Sequence, residues 1–128
     1  MAYDRNNVFA RILRGEIPCN KVYEDPHVLA FSDISPQSPT HVLVIPKGEY
    51  LSLDDFSANA SAAEISALVR ALGHIARERG VAETGYRILS NTGLAAHQEV
   101  PHFHVHLVGG RDLGAMLPRD GRLRGEGA

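Results

Sequence analysis

From position 102 to 108 the chain reads His-Phe-His-Val-His-Leu-Val, an unbroken alternation of imidazole and hydrophobe. In an extended chain successive side chains face opposite ways, so this run places His102, His104 and His106 on one face of a strand, roughly 6.6 Å apart. Phe103, Val105 and Leu107 then enter a core. With an ordinary pKa of about 6.5, such rings are mostly neutral near pH 7 and serve as nucleophile, base or hydrogen-bond donor. Three together suit an anionic ligand or a metal ion. A merely polar strand face explains one histidine far better than three at strict period two.

Length and composition limit what this strand can belong to. A chain of 128 residues makes one compact domain with its own core. Its 44% hydrophobic and 22% charged residues describe a globular protein, and a net charge of −2 argues against nonspecific duplex binding, so no nucleic-acid partner is expected. Apolar runs are too short to span a membrane, and Met1 to Asn7 lacks a signal peptide's hydrophobic segment, so the expected compartment is the cytoplasm. Cys19 stands alone, which excludes an intrachain disulfide, and it reads as a packed or surface thiol. The Gly-x-x-x-x-Gly-Lys phosphate loop of ATPases and GTPases is absent.

Periodicity and capping signals divide the chain into elements. Asn7 to Arg14 reads as a short helix with Val8, Phe9, Ile12 and Leu13 on one stripe and Gly15 as its stop. Lys21 to Glu24 and Val28 to Asp33 read as strands around the turn Asp25-Pro26-His27. Two prolines make 34–40 a loop, and His41 to Pro46 is the next strand. Ser61 and Glu64 form a capping box for a helix to Arg79, with Ile65, Leu68, Val69, Leu72 and Ile75 as its apolar stripe and His74 on the solvated side. Gly85 to Asn91 and His102 to Val108 complete the strands. The expected fold class is α+β: about five strands in a largely antiparallel sheet with two helices.

These residues carry a resemblance. The run His102 to Val108 matches the signature of the histidine-triad family, and Val8 to Pro18 resembles that family's opening helix. Asp33-Ile34-Ser35-Pro36-Gln37, Pro39-Thr40-His41 and Val44-Ile45-Pro46-Lys47 resemble its nucleoside-binding hairpin, and Asn91 with Gly93 its turn before the triad. The branch it looks most like is the Hint-type nucleoside phosphoramidases.

The resemblance implies chemistry on a nucleoside monophosphoryl group, purine preferred, with an AMP- or GMP-type product and no cofactor. The middle histidine, here His104, would attack the α-phosphorus, expel an amine or phosphate and form a nucleotidyl-histidine that water hydrolyses. His102 and His106, with His41 beside them, would bind phosphate oxygens or orient the nucleophile, and Asn91 would support the phosphate. Asp33 would accept the ribose hydroxyls, although its position before Ile34-Ser35-Pro36 also suits a turn cap. Phe9, Ile12, Phe31, Ile34 and Leu43, joined by Val8, would surround the base, and Gly93, Gln98 and Glu99 would complete the nucleotide site. The resemblance also implies a two-fold homodimer whose sheet extends across both copies.

The chain departs from the pattern in places. Paired cysteines that help some relatives bind zinc are missing near Ala10, so no metal is expected, and Glu99 replaces a serine thought to aid leaving-group protonation. His97 is an extra histidine, expected to face water. The HIT-like domain is read as residues 1–118, with Leu113, Met116 and Leu117 available to dock across a dimer and 119–128 as a mobile tail. Two rival classes stay open: a metal-dependent hydrolase with His102, His104 and His41 as ligands, and a nucleotide-binding or scaffold module without turnover.

Overall fold

The computed structural model describes residues 2–116, so Leu117, the division at 118 and the tail reading fall outside the described residues. Five antiparallel strands form one open sheet: β1 (Lys21–Glu24), β2 (Val28–Ser32), β3 (Thr40–Pro46), β4 (Tyr86–Leu89) and β5 (Val105–Gly109), in the order β1-β2-β3-β5-β4. Four helices among the described residues accompany it: α1 (Val8–Leu13), α2 (Leu53–Asn59), α3 (Ala62–Glu78) and α4 (Val81–Thr84).

The two expected helices are α1 and α3, and each forms for a visible local reason. The Asn7 side chain caps α1 by accepting from the Ala10 N–H, and the reciprocal Ser61–Glu64 capping box opens α3. The expectation of only two helices is corrected by α2 and α4. The first had a legible signal, since Ser52 caps it and Asp54 and Asp55 occupy its first turn. The second is a single turn after Gly80, which takes the left-handed backbone.

The central strands are buried on both faces. Val28, Ala30, Val42 and Val44 join Phe56, Leu68, Ala71, Leu72, Ile75, Phe103, Val105 and Leu107 in one core. The alternate residues Leu29, Phe31, Leu43 and Ile45 join Phe9 of α1 in a second core on the opposite face. Two-sided burial is why β2 and β3 are written as continuous apolar runs.

The apolar stripe assigned to α3 needs correction. Ile65 and Val69 are 37% and 63% exposed, and the buried line runs through Leu68, Ala71, Leu72, Ile75 and Ala76. Small alanines let the helix lie close to the sheet, which leaves Ile65 and Val69 turned outward. The last strand is also shorter than expected. Ladder pairing with β3 begins at the Val44–Val105 pair, so His102 to His104 form an extended lead-in, held where the Phe103 N–H donates to the Tyr50 carbonyl at 2.7 Å. The alternation of faces nevertheless persists, with Phe103, Val105 and Leu107 in the first core and the histidine rings toward Phe9.

Candidate active site

The face of the sheet that carries α1 also carries the histidines. Leu43 pairs with His106 across β3 and β5, and His41 lies two residues before Leu43, so His41 and His106 emerge side by side. Their ring centroids are 5.2 Å apart. Between the His104–His106 face, α1 and the segment 91–100 lies a pocket of about 610 Å³.

Hydrogen-bond partners fix the tautomer of each ring. Backbone carbonyls only accept, so His104 Nδ1, 2.7 Å from the His102 carbonyl oxygen, carries the proton, and its Nε2 keeps a lone pair. By the same reasoning His102 Nε2 donates to the Pro46 carbonyl at 2.9 Å, and its Nδ1 accepts from the Tyr3 hydroxyl at 2.5 Å. The Gln37 backbone N–H donates to His41 Nδ1 at 3.0 Å, which leaves the His41 proton on Nε2. That proton is given to His106 Nδ1 at 2.9 Å, so His106 offers an Nε2–H donor. His104 and His106 both line the pocket. A lone pair and a donor are thus presented to one cavity.

Burial favours the neutral form of the His102, His104 and His106 rings. It is the main cause that lowers His102 to about 4, reinforced by His104 and opposed by the Pro46 carbonyl. His106 is lowered to about 4 by burial and by the neighbouring His104 and His41. His104 is lowered by burial too, while the His102 carbonyl, Asp33 and Glu99 pull the other way.

Most of the sequence-derived residues converge here. Asp33, Ile34, Phe9, Ile12, Phe31, Leu43, Asn91 and Glu99 border the pocket with His104 and His106, and Val8 joins them. Asp33 Oδ1 accepts from the Ser35 N–H at 2.8 Å, so the turn cap is real, while Oδ2 lies 3.5 Å from His41 Nε2. Ile34 is almost wholly exposed, at the rim. His41 stands behind His106 and lines an adjoining cavity of about 290 Å³ that shares His106 and Asn91 with the pocket.

Three assignments are corrected. The His102 ring is fully buried outside the pocket with both nitrogens engaged, so of the two roles expected of it the phosphate donor is ruled out and orienting the nucleophile is the one left. Gln98 braces the loop instead of lining the cavity: its Nε2 donates to the Leu51 and Val100 carbonyls and its Oε1 accepts from the Gly93 N–H. Gly93 serves that turn with a φ of 77°. His97 is exposed, as expected, and also borders the pocket mouth, with a φ of 57° that non-glycine residues seldom adopt. The sequence reading missed Tyr3, the Gln37 backbone N–H and the wall formed by Ile17, Pro18 and Cys19. An apolar wall after a helix stop looks like ordinary core, and backbone donors have no side-chain signature.

The ligand set considered for a metal, His102, His104 and His41, is not assembled, because His102 is occupied by Tyr3 and Pro46. Among the described residues, the group whose donor atoms lie within 4.8 Å of one another is Asp33, His41 and His106. Within it, His41 Nε2 and His106 Nδ1 already share a proton, which a cation taking either atom would have to displace.

An open antiparallel sheet with a histidine-lined pocket on its α1 face defines a histidine-triad domain. The chain belongs to the HIT family: the HIT domain model matches residues 14–113. It is 65% identical over 117 residues to a HIT-like protein of Azospirillum brasilense, covering 91% of this chain and 96% of that one. It is 46% identical over 114 residues to the purine nucleoside phosphoramidase of Escherichia coli (strain K12), covering 89% and 95%. The fold matches the solved HIT family hydrolase from Clostridium thermocellum with a TM-score of 0.81 and 40% identity, covering 90% of this chain and 99% of that one.

Proposed function

We propose that this chain is a hydrolase that cleaves the bond to the α-phosphorus of nucleoside 5′-phosphoramidates, or of related nucleoside monophosphoryl compounds, through a nucleotidyl-histidine on His104. The observation that carries this reading is the locked His104 tautomer, whose Nδ1–H is held by the His102 carbonyl so that Nε2 keeps its lone pair at a pocket-lining residue. Nε2 attacks phosphorus; the P–N bond breaks, and its electron pair leaves on the amine, which takes up a proton from solvent. Water then displaces His104 and gives up a proton to solvent, yielding the nucleoside monophosphate and restoring the neutral ring. The His106 Nε2–H and Asn91 stabilise the charge that grows on the phosphoryl oxygens. A phosphoramidase with a similar sequence in Escherichia coli supports the substrate class.

The apolar cavity formed by Phe9, Ile12, Phe31 and Leu43 suits a purine ring, and we place the ribose hydroxyls on Asp33. Asp33→Asn is then expected to weaken a ribonucleotide more than its 2′-deoxy counterpart by competition binding. Equal losses would leave Asp33 only the turn cap. We also read the chain as a cytoplasmic homodimer. Supporting that, the edge strand β4 leaves Tyr86, Ile88 and Leu89 exposed, as α3 leaves Ile65 and Val69. No helix among the described residues is long and apolar enough to cross a membrane.

The test of the reaction is a rapid mix with adenosine 5′-phosphoramidate, an acid-free quench and intact mass measurement. A transient adenylyl adduct mapping to His104 is expected, and product formation without any adduct in a single turnover would overturn the mechanism. Chelation separates the metal-dependent class. Activity is expected to be unchanged by a chelator, whereas loss restored by a divalent cation would recast Asp33, His41 and His106 as ligands.

A further inference from the structure

Tyr3 touches the catalytic strand from the far end of the chain. Its hydroxyl bonds His102 Nδ1 across 99 positions, and its ring packs edge-on against the imidazole with centroids 5.6 Å apart. Tyr3 does not line the pocket, and neither does His102.

We propose that Tyr3 is a positioning residue for the His104 nucleophile, acting through the His102 ring that it and the Pro46 carbonyl clamp from opposite ends. The inference rests on the reading of His104 as the nucleophile. His102 contributes two groups at once: a ring bonded on both sides and the carbonyl that holds the His104 Nδ1–H. Ladder pairing starts only at Val105, so the sheet does not fix the orientation of that carbonyl. The Phe103 N–H to Tyr50 bond and the two ring bonds fix it instead. Without the Tyr3 hydroxyl, a fully buried ring nitrogen loses its donor, a state that buried polar groups avoid by moving or by admitting water. Either response turns the backbone unit whose oxygen sets the His104 tautomer and the direction of Nε2. Small errors in that direction slow the chemical step more than they weaken binding.

The experiment uses Tyr3→Phe in the full chain, which keeps the ring packing and removes one oxygen. On adenosine 5′-phosphoramidate, kcat is expected to fall about tenfold with KM changed by less than about twofold. Ring-nitrogen NMR of the substrate-free protein is expected to show shifts at both His102 and His104. Unchanged kcat, or unmoved His104 signals, would overturn the proposal even if the melting temperature dropped, and Tyr3 would then only tether the N-terminal segment. Should Tyr3→Phe fail to fold, 3-fluorotyrosine at position 3 keeps the hydroxyl and chiefly alters its acidity. It must move the signals of both histidines, and a response confined to His102 refutes the coupling. Because these spectra are recorded without substrate, they judge the coupling alone. Persistent turnover in His104→Ala would instead count against the nucleophile and leave the coupling standing.

Discussion

His104→Ala is expected to lower turnover of adenosine 5′-phosphoramidate by at least about a thousandfold, while nucleotide affinity changes by less than about tenfold. The asymmetry follows from what the ring contributes. On the proposed reading, nucleotide contacts would be spread over Asp33 and the apolar wall of Phe9, Ile12, Phe31 and Leu43, whereas His104 alone combines a place in the pocket with a lone pair fixed by a backbone acceptor. Phe9 packs edge-on against it with ring centroids 4.9 Å apart, so its loss leaves a small void and a modest drop in stability. Steady-state kinetics and calorimetric nucleotide binding on the same preparation check both halves. Substantial residual turnover would remove His104 from the nucleophile's role.

The second large effect is a loss of stability in mild acid. An unfolded chain protonates His102 near its ordinary value of about 6.5, while the folded chain resists until about 4 because burial excludes the charge. Between those values the unfolded state binds more protons, so stability falls as pH falls through this window and levels off for this group below it. The shift corresponds to about 3 kcal/mol for the wholly buried His102. His106, lowered to about 4 but only partly buried, and His104 act in the same direction. The exposed Glu24 carboxylate, held at about 2 by Lys21 and Lys47, contributes in a separate, lower window. Urea unfolding from pH 7 down to pH 4 is expected to show the decline, and His102→Gln should make it shallower, leaving the part due to His104 and His106. A level profile across that range would contradict neutral buried rings. Activity should follow a related course, with kcat/KM falling in acid at an apparent pKa below 6.5 as His104 takes up a proton.

Local rules made much of this molecule legible in its sequence. Period-two alternation placed three imidazoles on one face even though pairing starts only at Val105, because an extended backbone alternates with or without a partner strand. The Ser61–Glu64 capping box and the Asn7 cap likewise act within a few residues, and both helices start where those signals stand. The hairpin carrying Asp33 and His41 could be aligned with its family for the same reason, since its prolines leave few conformations open.

Relations between distant segments were decided only by the tertiary structure. Which imidazole nitrogen bears a proton depends on the Pro46 carbonyl, the Gln37 N–H and the Tyr3 hydroxyl, and no side-chain pattern encodes the reach of a backbone group. So His102, equal to its two neighbours in the sequence, became a buried brace, and Gln98 became a strut for its own loop. The outward turn of Ile65 and Val69 was hidden for a similar reason: the alanine face of α3 reveals itself as the contact only once the sheet lies against it. The sequence by itself determined which residues share a face. Packing then determined which of them meet the pocket and in what protonation state, because burial and hydrogen-bond partners are properties of the assembled chain.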